Sequence, residues 1–150
     1  IAAGGLHDGR SVVAAMVLGA EGVQLGSRFV ATPESSAHQA FKEAVLLAEE
    51  GATSLELKEV TPVRLLDNPF AQRVVAAQQA GASLDELRAL LGRGRAKRGM
   101  FEGDMTEGEL EIGQVSSMLR DLEPAGDIVE RLVKECMALA GPDWATRWGL

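Results

Sequence analysis

The stretch that decides the fold is residues 1–27, which read IAAGGLHDGRSVVAAMVLGAEGVQLGS. Two short apolar runs, residues 1–3 and 23–25, are each followed at once by a glycine turn. Between them, Asp8 predicts the N-cap of a helix that runs to about Leu18, because apolar residues recur there on a 3.6-residue period. This order of strand, glycine turn, helix, strand and glycine turn is typical of parallel α/β folds.

The two predicted strands need partners, because parallel strands are normally buried between other strands. The remainder of the sequence offers only one further candidate, residues 55–60, which alternate like an edge strand or form an extended connection. We therefore expect the 150 residues to be the C-terminal part of a larger protein whose N-terminal part is absent here. For comparison, one parallel α/β fold, the (β/α)8 barrel, typically takes ~250 residues, more than the 150 present here.

The sequence after the second glycine turn predicts mainly helices. The triplet Thr32-Pro33-Glu34 is typical of a helix entrance, with the helix ending at Gly51. Residues 92–108 are glycine-rich and predict a partly flexible loop or short helices. The remaining predicted helices are Pro69–Gln79 (capped by Asp67 or Asn68), one opened by the capping box of Ser83 and Glu86, 114–119 and 124–140.

Composition excludes several classes of protein. The net charge of −7 argues against a general nucleic-acid binder, which needs a basic face. A single cysteine excludes an internal disulfide framework and favours a reducing, cytoplasmic compartment. No apolar run approaches the ~20 residues of a membrane helix, so no membrane partner is expected. The carboxylates show no metal-ligand spacing, and no metal is expected.

The two glycine turns, Gly4-Gly5 and Gly26-Ser27, are the strongest functional signal. Backbone N–H groups in such turns can face a phosphate, with a helix N-terminus adding a favourable dipole. Glycine suits this role because a Cβ atom would hold the anion away from the backbone. The alternative is that the glycines only permit tight turns between strand and helix, and spacing alone leaves both interpretations open.

Three segments resemble the FMN-dependent nitronate monooxygenase family, formerly called 2-nitropropane dioxygenases. They occur in the family's order and spacing, and the flavin-dependent enoyl-acyl-carrier-protein reductases share them, while inosine monophosphate dehydrogenase shares the first two. Residues 103–114 and 128–132 resemble the family's C-terminal section more loosely. The three segments are IAAGGLHDGR (1–10), LGAEGVQLGSRF (18–29) and TPESSAHQAFK (32–42).

The resemblance implies an α/β fold, the C-terminal part of a TIM (β/α)8 barrel with a helical extension. Residues 1–50 would hold strands 7 and 8 with their helices, and residues 51–150 a mainly helical cover. It implies a phosphate site for the cofactor FMN at the strand ends. The family's catalytic histidine lies upstream, so no catalytic residue is expected here. The implied cofactor-binding residues are Gly4, Gly5, Gln24, Leu25, Gly26 and Ser27.

The resemblance also implies a reaction for the complete protein: oxidation of alkyl nitronates by O2, through FMN, to a carbonyl compound and nitrite. The 150 residues alone would be inactive without the N-terminal barrel half. One alternative is an FMN-dependent enoyl-acyl-carrier-protein reductase of fatty-acid synthesis. An alternative of another class is a non-catalytic fragment that binds a phosphate ligand or a partner chain.

Other polar residues have competing interpretations. His7 lies in the first turn, as a flavin contact or a solvated residue. His38 is expected to pack against or cap a helix. Neither His7 nor His38 is expected to act as the catalytic base. Lys42 is expected at the surface, with an anion contact as the alternative. Gln114 reaches the active-site mouth if the C-terminal helices fold back over the barrel.

The basic cluster between Arg93 and Arg98 is expected to be a solvated loop, because nearby acidic residues neutralise it, rather than a phosphate-attracting patch. Cys136 falls on the apolar stripe of the last helix and is expected to be a small core residue. Trp144 and Trp148, four residues apart, predict one helical face or a subunit contact in a homodimer.

Overall fold

The computed structural model describes residues 1–141 and is an α/β structure, as predicted. The two βα units and the later helices appear in the expected order. A π-helical turn (Lys97–Phe101) and a 3-10 helix (Gln114–Met118) lie between the last two α-helices. The elements are β1 (Ala2–Ala3), α1 (Gly9–Val17), β2 (Val23–Gln24), α2 (Ser27–Val30), α3 (Gln39–Leu46), β3 (Thr53–Glu56), β4 (Val63–Leu66), α4 (Pro69–Gln79), α5 (Leu84–Leu91) and α6 (Ala125–Leu139).

The first βα unit forms as its sequence predicts. Strands β1 and β2 pair in parallel, with Ala2 opposite Val23 and Ala3 opposite Gln24. Asp8 is the N-cap of α1, and its side chain accepts a hydrogen bond from the backbone of Ser11. After α1 the chain turns at Gly19, whose φ of +98° lies in the left-handed region, as expected for the end of a helix.

Helix α6 returns to the first βα unit and packs on α1. The helices approach so closely that a Cβ atom on Gly9 would lie 2.3 Å from Cβ of Glu135. Glycine is therefore needed at position 9 for the contact itself. Helix α6 thus lies in space beside α1, although about a hundred residues separate them in the chain.

An antiparallel hairpin follows α3 and was not predicted. Strand β3 pairs with β4, with Thr53 opposite Leu66 and Glu56 opposite Val63. The sequence suggested an extended segment only at residues 55–60, and the alternation in β4 is confined to Val63-Arg64-Leu65, which is too short to identify a strand. The hairpin is an exception to the mainly helical character expected after residue 51.

Two clusters of buried apolar residues lie in the middle of the chain. One cluster joins α3, β4 and the segment before α6, and the other joins α4, α5 and the hairpin. All of the buried members of both clusters fall within residues 31–119: Ala31, Phe41, Val45, Ala48, Leu66, Leu110, Ile112 and Leu119 in the first, and Leu57, Phe70, Val74 and Leu87 in the second.

The helix expected to start at Pro33 starts six residues later, and that prediction is wrong. The Thr32 hydroxyl donates to Phe29 O (3.0 Å) and accepts from Ser35 N (3.1 Å), so it closes a turn. Helix α3 begins after His38 and ends at Leu46, before the predicted stop at Gly51. Threonine caps turns and helices through the same hydroxyl contacts, which is why the sequence did not distinguish them.

Candidate functional site

The two glycine turns leave the same edge of the parallel pair. The register places Ala3 opposite Gln24, so Gly4 and Leu25 are the next residues on neighbouring strands. Adjacent strands lie about 4.8 Å apart, and both chains emerge here at their carboxyl ends. The structure therefore brings Gly4-Gly5 and Gly26-Ser27 together.

Gly4 and Gly5 are required by their backbone conformation. Their φ angles are +87° and +72°, in the left-handed region that glycine adopts readily. A Cβ atom at either position would meet nothing within 4 Å. The described chain thus leaves open space beside both residues, and the two interpretations of this turn, a tight connection and an anion cradle, both remain compatible with it.

The N-terminus of α1 is already occupied by carboxylates. Asp8 Oδ1 accepts from Ser11 N (2.8 Å), and Glu135 Oε2 accepts from Gly9 N (2.6 Å). Burial opposes ionisation of Asp8, but hydrogen bonds from Ser11 and the nearby charges lower its pKa below the usual value. The expectation that this helix terminus faces the phosphate is therefore not supported, because its first donors and its dipole are satisfied within the chain.

Ser27 is held by a contact that the sequence did not predict. Its Oγ atom accepts a hydrogen bond from Gly113 N at 3.0 Å, which leaves the hydroxyl hydrogen to donate elsewhere. A Cβ atom on Gly113 would lie 2.6 Å from that oxygen, so glycine is needed there. The exposed Gln114 follows directly, and it therefore lies beside the second glycine turn.

A cavity of about 400 Å³ opens beside Ser27. It lies between the second glycine turn, strand β4 and the segment before the 3-10 helix. Arg64 and Glu111 supply its two charged groups; the lining residues are Gly26, Ser27, Val30, Pro62, Val63, Arg64, Glu111, Ile112 and Gly113. Gln24 is exposed and Leu25 is half-buried at the end of β2. The turn thus opens onto a space in which a ligand can be accommodated.

The two histidines have different surroundings. His38 is the N-cap of α3, and its Nδ1 accepts from Ala40 N at 3.2 Å, which confirms the capping prediction. Its ring lies where a Cβ atom on Gly103 would be, at 2.3 Å. His7 is half-buried in the first turn with Nε2 3.9 Å from Asp8 Oδ2, so it is not the solvated residue of one interpretation.

Lys42 is buried, and the prediction of a surface lysine is wrong. Only 5% of the residue is exposed. Its Nζ donates to Ser35 O (2.8 Å) and Pro33 O (3.4 Å), closing the turn that replaces the predicted helix entrance. Carbonyl groups can receive an ammonium in this way, and the apolar stem then contributes to the core.

The basic cluster is neutralised as expected. Lys97 pairs with Glu102 (3.1 Å) and Arg98 with Asp104 (2.6 Å). Arg95 is more structural: it donates to the last carbonyls of α5 and to Glu107 O, and it lies over the Phe70 ring at 4.5 Å. The cluster stabilises its own loop rather than forming a free phosphate-attracting patch.

Cys136 lies against α1, with Sγ 3.7 Å from Gly9 O, but it is half-buried and not the core residue that the apolar stripe predicted. Burial, followed by the charges of Glu135 and Asp8, raises the pKa of its thiol. Residues 1–141 contain no group of three or more potential metal ligands, and no helix among them is long and apolar enough to cross a membrane. Trp144 and Trp148 lie outside the described residues.

Sequence reasoning missed Arg28, the residue after Ser27. It is 1% exposed, and its guanidinium donates to the carboxylates of Asp121 and Glu123, the second at 2.6 Å. A charged residue followed by the apolar run Phe29-Val30-Ala31 was the available signal. Its partners lie more than ninety residues away in the chain, which no local pattern connects.

Together the fold and the candidate site define an α/β protein with two glycine turns side by side at the carboxyl edge of parallel strands. Residues 1–135 match the family model described as nitronate monooxygenase. The chain belongs to the nitronate monooxygenase family.

Curated relatives agree with this assignment. The nitronate monooxygenase of Neurospora crassa is 31% identical over 143 residues, which cover 90% of this chain and 37% of the relative. That of Pseudomonas aeruginosa is 32% identical over 141 residues, covering 90% and 38%. The chain therefore spans less than two fifths of the length of these relatives.

Solved structures show the same fold. FabK from Thermotoga maritima superposes with a TM-score of 0.84 at 34% identity, covering 92% of this chain and 44% of that one. The nitroalkane oxidase from Streptomyces ansochromogenes gives a TM-score of 0.68 at 31% identity, covering 92% and 39%. The family resemblance expected from the three sequence segments is thus confirmed.

Proposed function

We propose that this chain supplies the FMN-phosphate site of a flavin-dependent oxidoreductase of the nitronate monooxygenase type. The observation that carries the proposal is the parallel register of β1 and β2, which sets Gly4-Gly5 beside Gly26-Ser27 in a chain of that family. In a (β/α)8 barrel, the loops after strands 7 and 8 frequently form a phosphate site. On this proposal β1 and β2 are those two strands.

The residues present fit a phosphate group. The backbone N–H groups of Gly4 and Gly5 lie in a turn with open space around both α-carbons, so an anion can approach the backbone. The Ser27 hydroxyl accepts from Gly113 N and keeps its own hydrogen for a phosphate oxygen. Gln24 and Leu25 would line the same strand end, and Gly26 would allow close approach at the second turn.

When bound, FMN would transfer electrons from an alkyl nitronate to O2, with a carbonyl compound and nitrite as products. The part of this chain would be to hold and orient the phosphate end of the cofactor, since binding and orientation are what the protein supplies to such chemistry. The resemblance places the catalytic base elsewhere in the protein. We therefore expect residues 1–150 alone to show no turnover.

Helix α6 would complete the last βα unit of the barrel. It packs on α1, the helix between the two proposed barrel strands, although it follows them by about a hundred residues. The residues between β2 and α6 would then be an insertion in the chain between the eighth barrel strand and the helix that follows it. The large exposed side chains of Ile1 (91%) and Leu18 (89%) would meet the N-terminal barrel half.

Two matched pairs of substitutions in the full-length protein test the phosphate site. Gly5→Ala and Gly19→Ala strain equivalent left-handed positions with equally open surroundings, but Gly19 lies at the far end of α1. Ser27→Ala removes the proposed hydroxyl donor, and Ser54→Ala removes an exposed one from β3. We expect weaker FMN affinity, measured by flavin fluorescence titration, only for the Gly5 and Ser27 variants. Equal affinities within each pair would refute the site.

The FMN-dependent enoyl-acyl-carrier-protein reductase is the second candidate, because that family shares the three sequence segments (1–10, 18–29 and 32–42). Both candidates use the same phosphate site, so only turnover separates them. Nitrite release from an alkyl nitronate supports the first, and consumption of an enoyl thioester with a nicotinamide reductant supports the second. A full-length protein that binds no FMN would leave only the third candidate, a non-catalytic module for a phosphate ligand or a partner chain.

A further inference from the structure

The two glycine turns follow strands β1 and β2, which pair in parallel with Ala3 opposite Gln24. The strands therefore set the two turns side by side. Contacts behind each turn add to this positioning, and they are made by the residue after Ser27 and by the first residue of α1.

Arg28 anchors the second turn from behind. It follows Ser27 directly, and besides the two carboxylates its Nη1 donates to Asp121 O (3.3 Å) and Ala31 O (3.5 Å). The bonds to Asp121 and Glu123 fix the start of α2 to the segment that leads into α6, and the bond to Ala31 O is local to α2. Bonds between a guanidinium and a carboxylate are among the strongest and most directional available to side chains.

The carboxylate of Glu123 continues the connection into α6. Its Oε2 atom receives Arg28 Nη2 (2.6 Å) and also Arg131 Nη2 (2.7 Å). Arg131 in turn donates to Glu135 Oε1 at 3.3 Å, one helical turn further along. Hydrogen bonds from Arg131, followed by those from Arg28, lower the pKa of Glu123, so the connection is charged at neutral pH.

Glu135 closes the connection on the first turn. Its second oxygen accepts Gly9 N at 2.6 Å, four residues after Gly5. The series Arg28, Glu123, Arg131 and Glu135, here called the arginine–glutamate relay, therefore runs unbroken from the residue after Ser27 to the first residue of α1. Both glycine turns are fixed to the same helix by charge-assisted hydrogen bonds.

We propose that the arginine–glutamate relay positions the two glycine turns relative to each other for phosphate binding. Helix α6 thereby affects the affinity for FMN without touching the cofactor. The inference rests on the proposed function. Groups behind a binding shell orient it, and removing them typically costs about 10–100-fold in affinity where such effects are measured at metal sites. Removal of one member of the relay also leaves its charged partner uncompensated.

The test is a double-mutant cycle on FMN affinity in the full-length protein. Arg28→Lys keeps the charge but loses the planar fork, and Glu135→Gln removes the charge at the opposite end of the relay. The control is Glu130→Gln, the same substitution on the same helix, at an exposed residue whose ion pair among residues 1–141 is with exposed Lys134. Kd for FMN, the unfolding midpoint and kcat at saturating FMN are measured for each.

We expect each relay variant to raise Kd by about tenfold, with kcat unchanged and the control like wild type. The double variant should raise Kd no more than the larger single change. Arg28 and Glu135 do not touch each other, and separate sites normally combine additively. If Arg28→Lys does not fold, Glu123→Gln takes its place in the cycle.

Three outcomes would overturn the proposal. The first is an unchanged Kd in the single variants, even with a lowered unfolding midpoint, because that is a purely structural role. The second is fully multiplicative effects in the double variant. The third is a wild-type protein that binds no FMN, which also refutes the proposed function, whereas the first two leave the proposed function standing.

Discussion

Two regions of the molecule are stabilised in different ways. The terminal region (residues 1–30 and 120–141) contains β1, β2, α1, α2 and α6, and the relay connects it. The middle region (residues 31–119) contains both buried apolar clusters. The terminal region leaves large apolar side chains of α1 and α6 exposed, among them Met16, Val17, Val133 and Met137. The middle region contains both buried apolar clusters, whereas the terminal region combines the packing of α1 on α6 with the charged relay and leaves apolar side chains exposed on both helices.

This contrast indicates how the two regions differ in their dependence on local contacts. Truncating one side chain of a closed core directly lowers the free energy of unfolding. The terminal region has fewer buried apolar side chains, so we expect it to depend more on its long-range hydrogen bonds. The following substitutions test that difference within the same chain, and the free energy of unfolding is measured by chemical denaturation unless stated.

The largest effect is expected in the middle region for Phe70→Ala. Phe70 is fully buried and carries Arg95 over its ring, so truncation should cost about 3–5 kcal/mol. The counterpart in the terminal region is Val12→Ala on α1, which removes two methyl groups and should cost about 1.5 kcal/mol. Equal costs would show that α1 shares in the closed core.

Gly108→Ala should follow in size. A Cβ atom there would lie 2.2 Å from Gly99 Cα and 2.3 Å from Asp104 O, so the backbone must move, at about 1–3 kcal/mol. The matched change in the terminal region is Gly126→Ala in the first turn of α6, where a Cβ atom would meet nothing within 4 Å. That substitution should be neutral or stabilising by up to about 1 kcal/mol. A tolerated alanine at Gly108 would contradict the close approach.

The two helix N-caps provide a smaller contrast. Asn68 caps α4 through Ala71 N and also donates to Met105 O (3.0 Å) and Gly108 O (2.9 Å). Asn68→Ala should cost about 2 kcal/mol, because the buried N-cap bond is lost and two backbone carbonyl groups lose their donor. Asp8→Ala removes a cap with local contacts only and should cost about 1 kcal/mol. Asn68→Asp, which keeps the cap oxygen, separates the two contributions, and a stability like wild type would contradict the role of the amide donors.

The smallest effects concern pH, with opposite signs in the two regions. Burial, followed by the charge of Glu111, raises the pKa of Glu109. The protonated Glu109 side chain therefore contributes to the free energy of unfolding in acid, and this contribution is lost as the pH rises through the folded-state pKa. Glu109→Gln should therefore stabilise the chain at neutral pH but not below the ordinary glutamate pKa of about 4.3.

Glu123 in the terminal region should behave in the opposite way, because its pKa is lowered. Its contribution is present above the ordinary glutamate pKa and is lost as the pH falls through the lower folded-state value. Glu123→Gln should destabilise the chain at neutral pH, with the difference disappearing in acid. Unfolding curves from neutral to acidic pH check both residues, and parallel pH profiles for the two variants would contradict the opposite signs.

Local signals predicted most of the helices. Helix α4 has the predicted bounds, with Asn68 rather than Asp67 as its cap. The capping box at Ser83 and Glu86 and the last helix also appear as predicted. Residues within four positions of each other carry these signals, so they are present before any tertiary contact forms.

The sequence could not predict features that depend on distant partners. Strand β4 acquires its conformation from pairing with β3 and from its bridge between Leu65 and Glu111. Lys42 is buried only because a turn seven residues earlier presents its carbonyl groups. The contact between Ser27 and Gly113 joins residues that are 86 positions apart.

By itself the sequence determined the order of strand, glycine turn and helix, the positions of most helix caps and the membership of a flavin-enzyme family. Periodicity, glycine and capping residues act over a few positions, so they can be recognised without a fold. Only the tertiary structure decided which strands lie side by side, that α6 returns to α1, and that Arg28 connects to Glu135 through two intervening side chains. Those choices depend on packing and on buried charges finding partners, and neither has a local signature in the chain.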